Sequence, residues 1–204
     1  MTLAIAKAQT SVWIATANVK QLLVEAPIGT RDRRRGRYVP ILDTIQSLCD
    51  RGVRVRLLHA APPSGPFREE LASRAARLRT GFEMRACPRV HLKMVAIDGA
   101  LLYLGSANFT GAGLGAKGDG RRNFEMGLVT DDEWMLDAAQ ARFDEIWRGG
   151  ECASCRLRTK CPAPLDRPAP PKGGPRKRLL AHARAASPFS ERASSPSSRA
   201  GRRT

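Results

Sequence analysis

Apolar and polar residues alternate along the chain in two rhythms, one of strands and one of helices. A short alanine-rich start reads as helix, and SVWIATA over 11–17 reads as the first strand. PILDTIQSLCDRG, from Pro40, predicts a helix that stops at Gly52. The next segment sets Val53, Val55 and Leu57 against Arg54, Arg56 and Leu58, which suits a strand with one wetter face. A strand, a helix and a strand in that order make a parallel pair. Pro63 and Pro66 mark a loop. FREELASRAARLR then predicts a helix, with Glu69 and Glu70 early and Arg77 and Arg79 late, the order a helix dipole favours.

RVHLKMVAIDGALLYLGSAN predicts two strands, at about 90–97 and 100–104, joined by a tight Asp98-Gly99 turn. TGAGLGAKGDGRR, over 110–122, holds five glycines and reads as loop. NFEMGLV predicts a further strand. The helix after it has Thr130 and Glu133 at capping-box spacing and Gly149 as its stop.

These signals divide the chain into a globular domain over 1–149, a cysteine-rich segment over 150–164 and a basic tail over 165–204. The tail is rich in Pro, Ser, Ala and Arg and poor in large apolar residues, so disorder is expected there. The net charge of +16 is shared between the two ends of this division. Residues 167–204 carry ten Lys or Arg against Glu191 alone, a net +9, and the first 166 residues keep +7. The folded part is basic in its own right, which favours polyanionic partners such as DNA, RNA or acidic lipid. No run nears the roughly 18 apolar residues of a membrane span. The first residues lack the basic start and long apolar core of a signal peptide, so a cytoplasmic location is expected.

One strand of this pattern carries chemistry. Residues two apart in a strand share a face, so His91 and Lys93 stand side by side. A neutral imidazole can act as a nucleophile, and a neighbouring lysine welcomes an anion with several oxygens, for which phosphate is the obvious candidate. Lys93 would neutralise a non-bridging oxygen. Ser106 and Asn108 would add neutral donors. The motif carries no cluster of carboxylates such as a two-metal phosphodiesterase needs, so catalysis is expected without a metal. Downstream, Glu125 in RNFE can accept an imidazole N–H and fix the tautomer of His91, or can pair with Arg121 or Arg122.

His91, Lys93 and Asp98, followed by GSAN over 105–108 and then Glu125, resemble the phospholipase D superfamily signature, HxK(x)4D with GSxN and a later acidic residue. The framework is similar as well, from AxxSVWIATANV to DRGVRVRLL, and the resemblance covers about residues 2–148. It implies an α/β fold with a central mixed, mostly parallel sheet flanked by helices. Most members join two half-sites in one chain, whereas this sequence holds a single motif. In that it resembles the bacterial endonuclease of the family and the cardiolipin hydrolase or Zucchini group, which form twofold dimers with a shared active site. The resemblance implies that His91 of one subunit is the nucleophile and His91 of the other the general acid and base. It also implies that Lys93 binds phosphate oxygens, Asn108 assists and Asp98 stabilises the local fold. His59, at a strand end, and His182, in the tail, are set aside.

Cys152, Cys155 and Cys161 lie within ten residues and can wrap a soft metal, with Cys87 or Cys49 as fourth ligand. Their C-x2-C-x5-C spacing resembles the [4Fe-4S] segment of nucleases in recombination and CRISPR adaptation. A structural cluster or zinc ion is therefore expected, apart from the phosphoryl chemistry, with free thiols as the alternative. For substrate, the basic stretch 31–37 together with Lys117, Arg121 and Arg122 favours nucleic acid. Phospholipid is the alternative, and a non-catalytic nucleic-acid-binding module is the third reading. The lipid reading calls for an exposed apolar rim, which the sequence pattern does not reveal.

Overall fold

The computed structural model describes residues 1–25, 38–116 and 120–167. The basic stretch 31–37, Lys117, His182 and nearly all of the tail fall outside them. Among the described residues, eight strands and five helices follow one another as α1 (Thr2–Ala6), β1 (Ser11–Thr16), β2 (Leu23–Glu25), β3 (Tyr38–Pro40), α2 (Ile41–Asp50), β4 (Arg54–His59), α3 (Gly65–Ser73), α4 (Ala75–Leu78), β5 (Phe82–Ala86), β6 (Met94–Ile97), β7 (Leu101–Gly105), β8 (Gly127–Thr130) and α5 (Glu133–Arg148).

Six strands form one mixed sheet in the order β5-β4-β1-β6-β7-β8. Its first half is parallel, with β1 on β4 and β4 on β5, as crossover helices require. Its second half is antiparallel from β1 through β6 and β7 to β8; a tight turn joins β6 to β7, the long segment 106–126 joins β7 to β8, and β6 returns beside β1 from far along the chain. Asp98 and Gly99 take φ of 55° and 65°, and the Ala100 N–H closes the turn on Ile97 O at 2.9 Å, as a tight hairpin between β6 and β7 demands.

Strand alternation sends two sets of side chains into two cores. Val12, Ile14, Val55, Leu57, Val95 and Ile97 pack with Leu42, Ile45 and Leu48 of α2 and Phe67 of α3. Ala15, Leu58, Met94, Ala96 and Leu102 face the other way, onto Leu136, Phe143 and Trp147 of α5. The wetter face expected of β4 lies in this second layer. Arg56 spreads over the rings of Trp13 (5.1 Å) and Trp147 (5.4 Å), so its charge is half covered without being stranded.

Several element boundaries differ from the sequence expectation, each for a local reason. The helix expected over 67–79 breaks at Arg74. There the Ser73 hydroxyl donates back to Glu70 O at 2.7 Å, and the Arg74 guanidinium reaches Asp43 of α2. The N-cap of α5 is Asp132, whose Oδ1 accepts from Met135 N at 2.8 Å. Thr130 is already the last residue of β8, and its Oγ1 accepts from Asp132 N. The edge strand β5 was hidden by Glu83 and Arg85, which leave Phe82 as its one buried residue. The small β2–β3 pair was also not foreseen.

Candidate active site

The candidate residues meet at one end of the main sheet, where β1, β4 and β7 finish and β6 begins. The strand expected over 90–97 starts only at Met94. The β1–β6 register ends at the Ala15–Met94 pair, and the chain beyond Thr16 turns away so that Val19 bridges Phe109. His91 and Lys93 therefore occupy an extended lead-in to β6, yet they stay side by side. The Lys93 Nζ is 3.2 Å from each imidazole nitrogen of His91 and donates to His91 O at 3.0 Å. His91 is exposed and Lys93 half-buried. The Gly105 N–H donates to Lys93 O at 3.1 Å, which ties the GSAN segment to this lead-in through the backbone.

Asn108 is held from β1. Its Oδ1 accepts from the Asn18 N–H at 3.2 Å and from the Thr16 hydroxyl at 3.3 Å. A backbone N–H can only donate, so the amide oxygen faces Asn18 and the Nδ2 points away from it. The Thr16 hydroxyl also accepts from Phe109 N at 2.9 Å. Gly113 closes the turn beyond: a Cβ there would stand 2.5 Å from Asn108 O. Thr16 and Asn18 are thus positioning residues that sequence reasoning passed over. Their signal was a threonine and an asparagine closing an otherwise apolar strand.

Glu125 and Ser106 form the other wall. The Ser106 hydroxyl donates to Glu125 Oε2 at 2.5 Å, and the Asn123 amide donates to Oε1 at 3.0 Å. These two bonds, with the nearby Lys93 charge, hold the Glu125 carboxyl below its ordinary value against a small opposing effect of burial. The hydrogen bonds of Glu125 thus go to Ser106 and Asn123, not to His91. Asn123 is the further residue that sequence reasoning missed.

Asp98 lies at the far end of β6, away from this cluster. It accepts the N–H groups of Gln9, Thr10 and Ser11 at 2.8–2.9 Å and the Thr10 hydroxyl at 3.0 Å. Partial burial works to raise its pKa, but these donors outweigh it and the carboxyl sits below its ordinary value. His59 is buried behind Thr16, with Nδ1 2.9 Å from Ala61 O. Burial pushes its pKa down, against a smaller opposing effect of the bond to Ala61 O.

Cys87, Cys152, Cys155 and Cys161 line one cavity behind the lead-in to His91. Cys49 is elsewhere, buried on α2 where a Cβ at Gly81 would stand 2.9 Å from its sulfur. Burial raises the Cys87 thiol pKa. The Arg89 N–H partly offsets this, and the other three sulfurs add to the rise. Cys155, beside the Leu157 N–H and the Arg89 guanidinium, lies below the ordinary thiol value despite some opposing desolvation.

Among the described residues, no helix is long and apolar enough to cross a membrane. Residues 1–147 match the family described as cardiolipin synthase, PLD-like domain. No curated protein matches the sequence. Among solved structures, the chain is similar to NucT from Helicobacter pylori at 17% identity, over 71% of this chain and 82% of that one, with a TM-score of 0.47. It is also similar to Nuc from Salmonella typhimurium, a phospholipase D family member, at 20% identity over 72% and 84%, with a TM-score of 0.49. A third is TrmBL2, an archaeal chromatin protein, at 18% identity over 72% and 46%, with a TM-score of 0.43.

Proposed function

Because the chain belongs to the phospholipase D superfamily through its PLD-like domain, we propose that it hydrolyses phosphodiesters through a phosphohistidine, with nucleic acid as substrate. The observation that carries this reading is the convergence of His91, Lys93, Ser106, Asn108 and Glu125 at one end of the sheet. A nitrogen of His91 attacks phosphorus as the bond to the leaving oxygen breaks. Lys93 and the Asn108 Nδ2 take up charge on the non-bridging oxygens. An acid on the opposite side protonates the leaving oxygen. It then removes a proton from the water that attacks phosphorus, splits the N–P bond and frees His91. One imidazole cannot serve both sides, so the acid is assigned to His91 of the partner subunit in a twofold dimer.

The surface around the site supports pairing. Phe124 and Met126 flank Glu125 at 107% and 83% exposure, and Trp134 follows at 78%. Phe124 and Met126 immediately precede β8, an edge strand of the sheet, and Trp134 is on α5 just after it. Apolar side chains on an open edge are the kind of surface a second copy covers. Replacing both Phe124 and Met126 by aspartate should therefore shift the chain toward monomer in light scattering and lower turnover by about tenfold or more. Full activity in a strictly monomeric protein would remove the two-histidine scheme.

The same rim is the apolar surface that the lipid reading calls for and that the sequence pattern did not reveal, so it also favours phospholipid as a second substrate class. The basic charge of the first 166 residues, with Arg121 and Arg122 next to Asn123, supports nucleic acid. Incubation in EDTA with single- and double-stranded DNA, RNA and phosphatidylcholine vesicles separates the readings. Cleavage of a polynucleotide is expected. Cleavage of lipid alone would transfer the assignment, and strict dependence on added magnesium would count against the mechanism.

A further inference from the structure

We propose that Cys87, Cys152, Cys155 and Cys161 bind one zinc ion through four thiolates, latching the C-terminal segment 150–167 onto the loop that carries His91. The inference concerns groups that take no part in the phosphoryl chemistry and does not rest on the substrate.

The first ground is convergence. A residue from the end of the main sheet and three from a segment far along the chain line the same cavity, of about 20 Å³, whose other walls are apolar groups such as Ala86, Pro88 and Leu157 and the side chains of Arg89 and Arg158. That volume is room for about one water-sized body. It suits a single ion held by the four thiolates. Four sulfurs with no oxygen donor among them select a thiophilic ion. The nearby carboxylate of Glu151 is engaged with Arg89 at 3.2 Å and with Arg142.

The second ground is what otherwise holds the segment. Residues 150–167 contain no helix or strand, and Leu165 is their one buried residue. They fold as successive turns in which Cys152 N donates to Gly149 O, Cys155 N to Cys152 O, and Arg158 N to Cys155 O. Leu165 and Asp166 return so close to Gly149 that a Cβ there would meet Asp166 N at 2.3 Å. Chain this irregular, with so little apolar burial, is commonly fixed by a crosslink.

Among the described residues, no three ligand side chains already stand at metal-binding distance from a common point. Binding thus asks the thiols to turn inward between staggered rotamers until Zn–S reaches about 2.3 Å, each bound thiol releasing its proton.

The test is elemental analysis of the full chain, purified under reduction from zinc-supplemented cells. One zinc per chain is expected, unchanged in Cys49→Ser and largely lost in Cys87→Ser and Cys161→Ser. Cobalt in place of zinc should give the absorption of a tetrahedral thiolate site. Because a cysteine variant can fail to fold, the wild-type chain supplies a second readout. Chelation should open 150–167 to limited proteolysis while 1–149 stays resistant. Zinc-free protein, iron with acid-labile sulfide, full zinc retention in Cys87→Ser, or proteolysis indifferent to chelation would each overturn the proposal.

Discussion

Replacing His91 by alanine is expected to lower turnover on the order of 10³-fold or more, while affinity for nucleic acid stays within about twofold. The split follows from geometry. His91 is exposed at the mouth of the site with Lys93 Nζ 3.2 Å from its ring, so it contributes to bond making and little to the fold. Binding, in the proposed reading, arises from charge spread over a basic surface. In the proposed two-histidine scheme, truncating the imidazole removes the nucleophile from one half-site and the proton carrier from the other, so both chemical steps fail together. Single-turnover cleavage beside equilibrium binding of the same oligonucleotide makes the check. A variant that still cleaves at a comparable rate would show that the histidine is a surface residue, and equal loss of binding would show that the change is structural.

The second large effect lies far from the chemistry. Asp98→Asn should destabilise the domain by about 2–3 kcal/mol at neutral pH, less than three charged hydrogen bonds would suggest because the site is partly open to solvent. The carboxylate gathers the N–H groups of Gln9, Thr10 and Ser11, fixing the entry to β1 from the β6–β7 turn. An amide offers one oxygen to these donors and turns an N–H₂ toward the rest. Its pH dependence has a definite sign. The folded pKa is below the ordinary value of 3.8, so the contribution is complete above that value and fades as pH falls through the folded pKa. Denaturation curves of wild type and Asp98→Asn should be well separated at pH 7 and converge in strong acid. Curves offset equally at every pH would assign the effect to packing and not to charge.

Much of the site was legible because its residues sit in short, local patterns. His91 and Lys93 are two apart, and any extended backbone brings such residues to one side, even here where the strand starts only at Met94. The Asp98-Gly99 turn was legible because both residues tolerate positive φ. The partners of Glu125 were not: Ser106 and Asn123 reach it through the β7–β8 pairing and the turn before it, and the spacing was equally compatible with His91 or an arginine. Nor was the apolar rim legible, since Phe124 and Met126 read as residues of a strand over NFEMGLV, whereas β8 begins only at Gly127 and leaves both exposed before it.

The sequence by itself determined the family, the order of strand and helix through most of the domain and the side-by-side placement of His91 and Lys93. Each rests on periodicity or spacing over a few residues, where backbone geometry leaves few choices. Tertiary structure alone decided which cysteine joins the C-terminal three, which groups restrain Asn108 and Glu125, and which apolar side chains remain in water. Those depend on contacts between residues distant in sequence, and loop closure and packing, not local propensity, select among the combinations the chain allows.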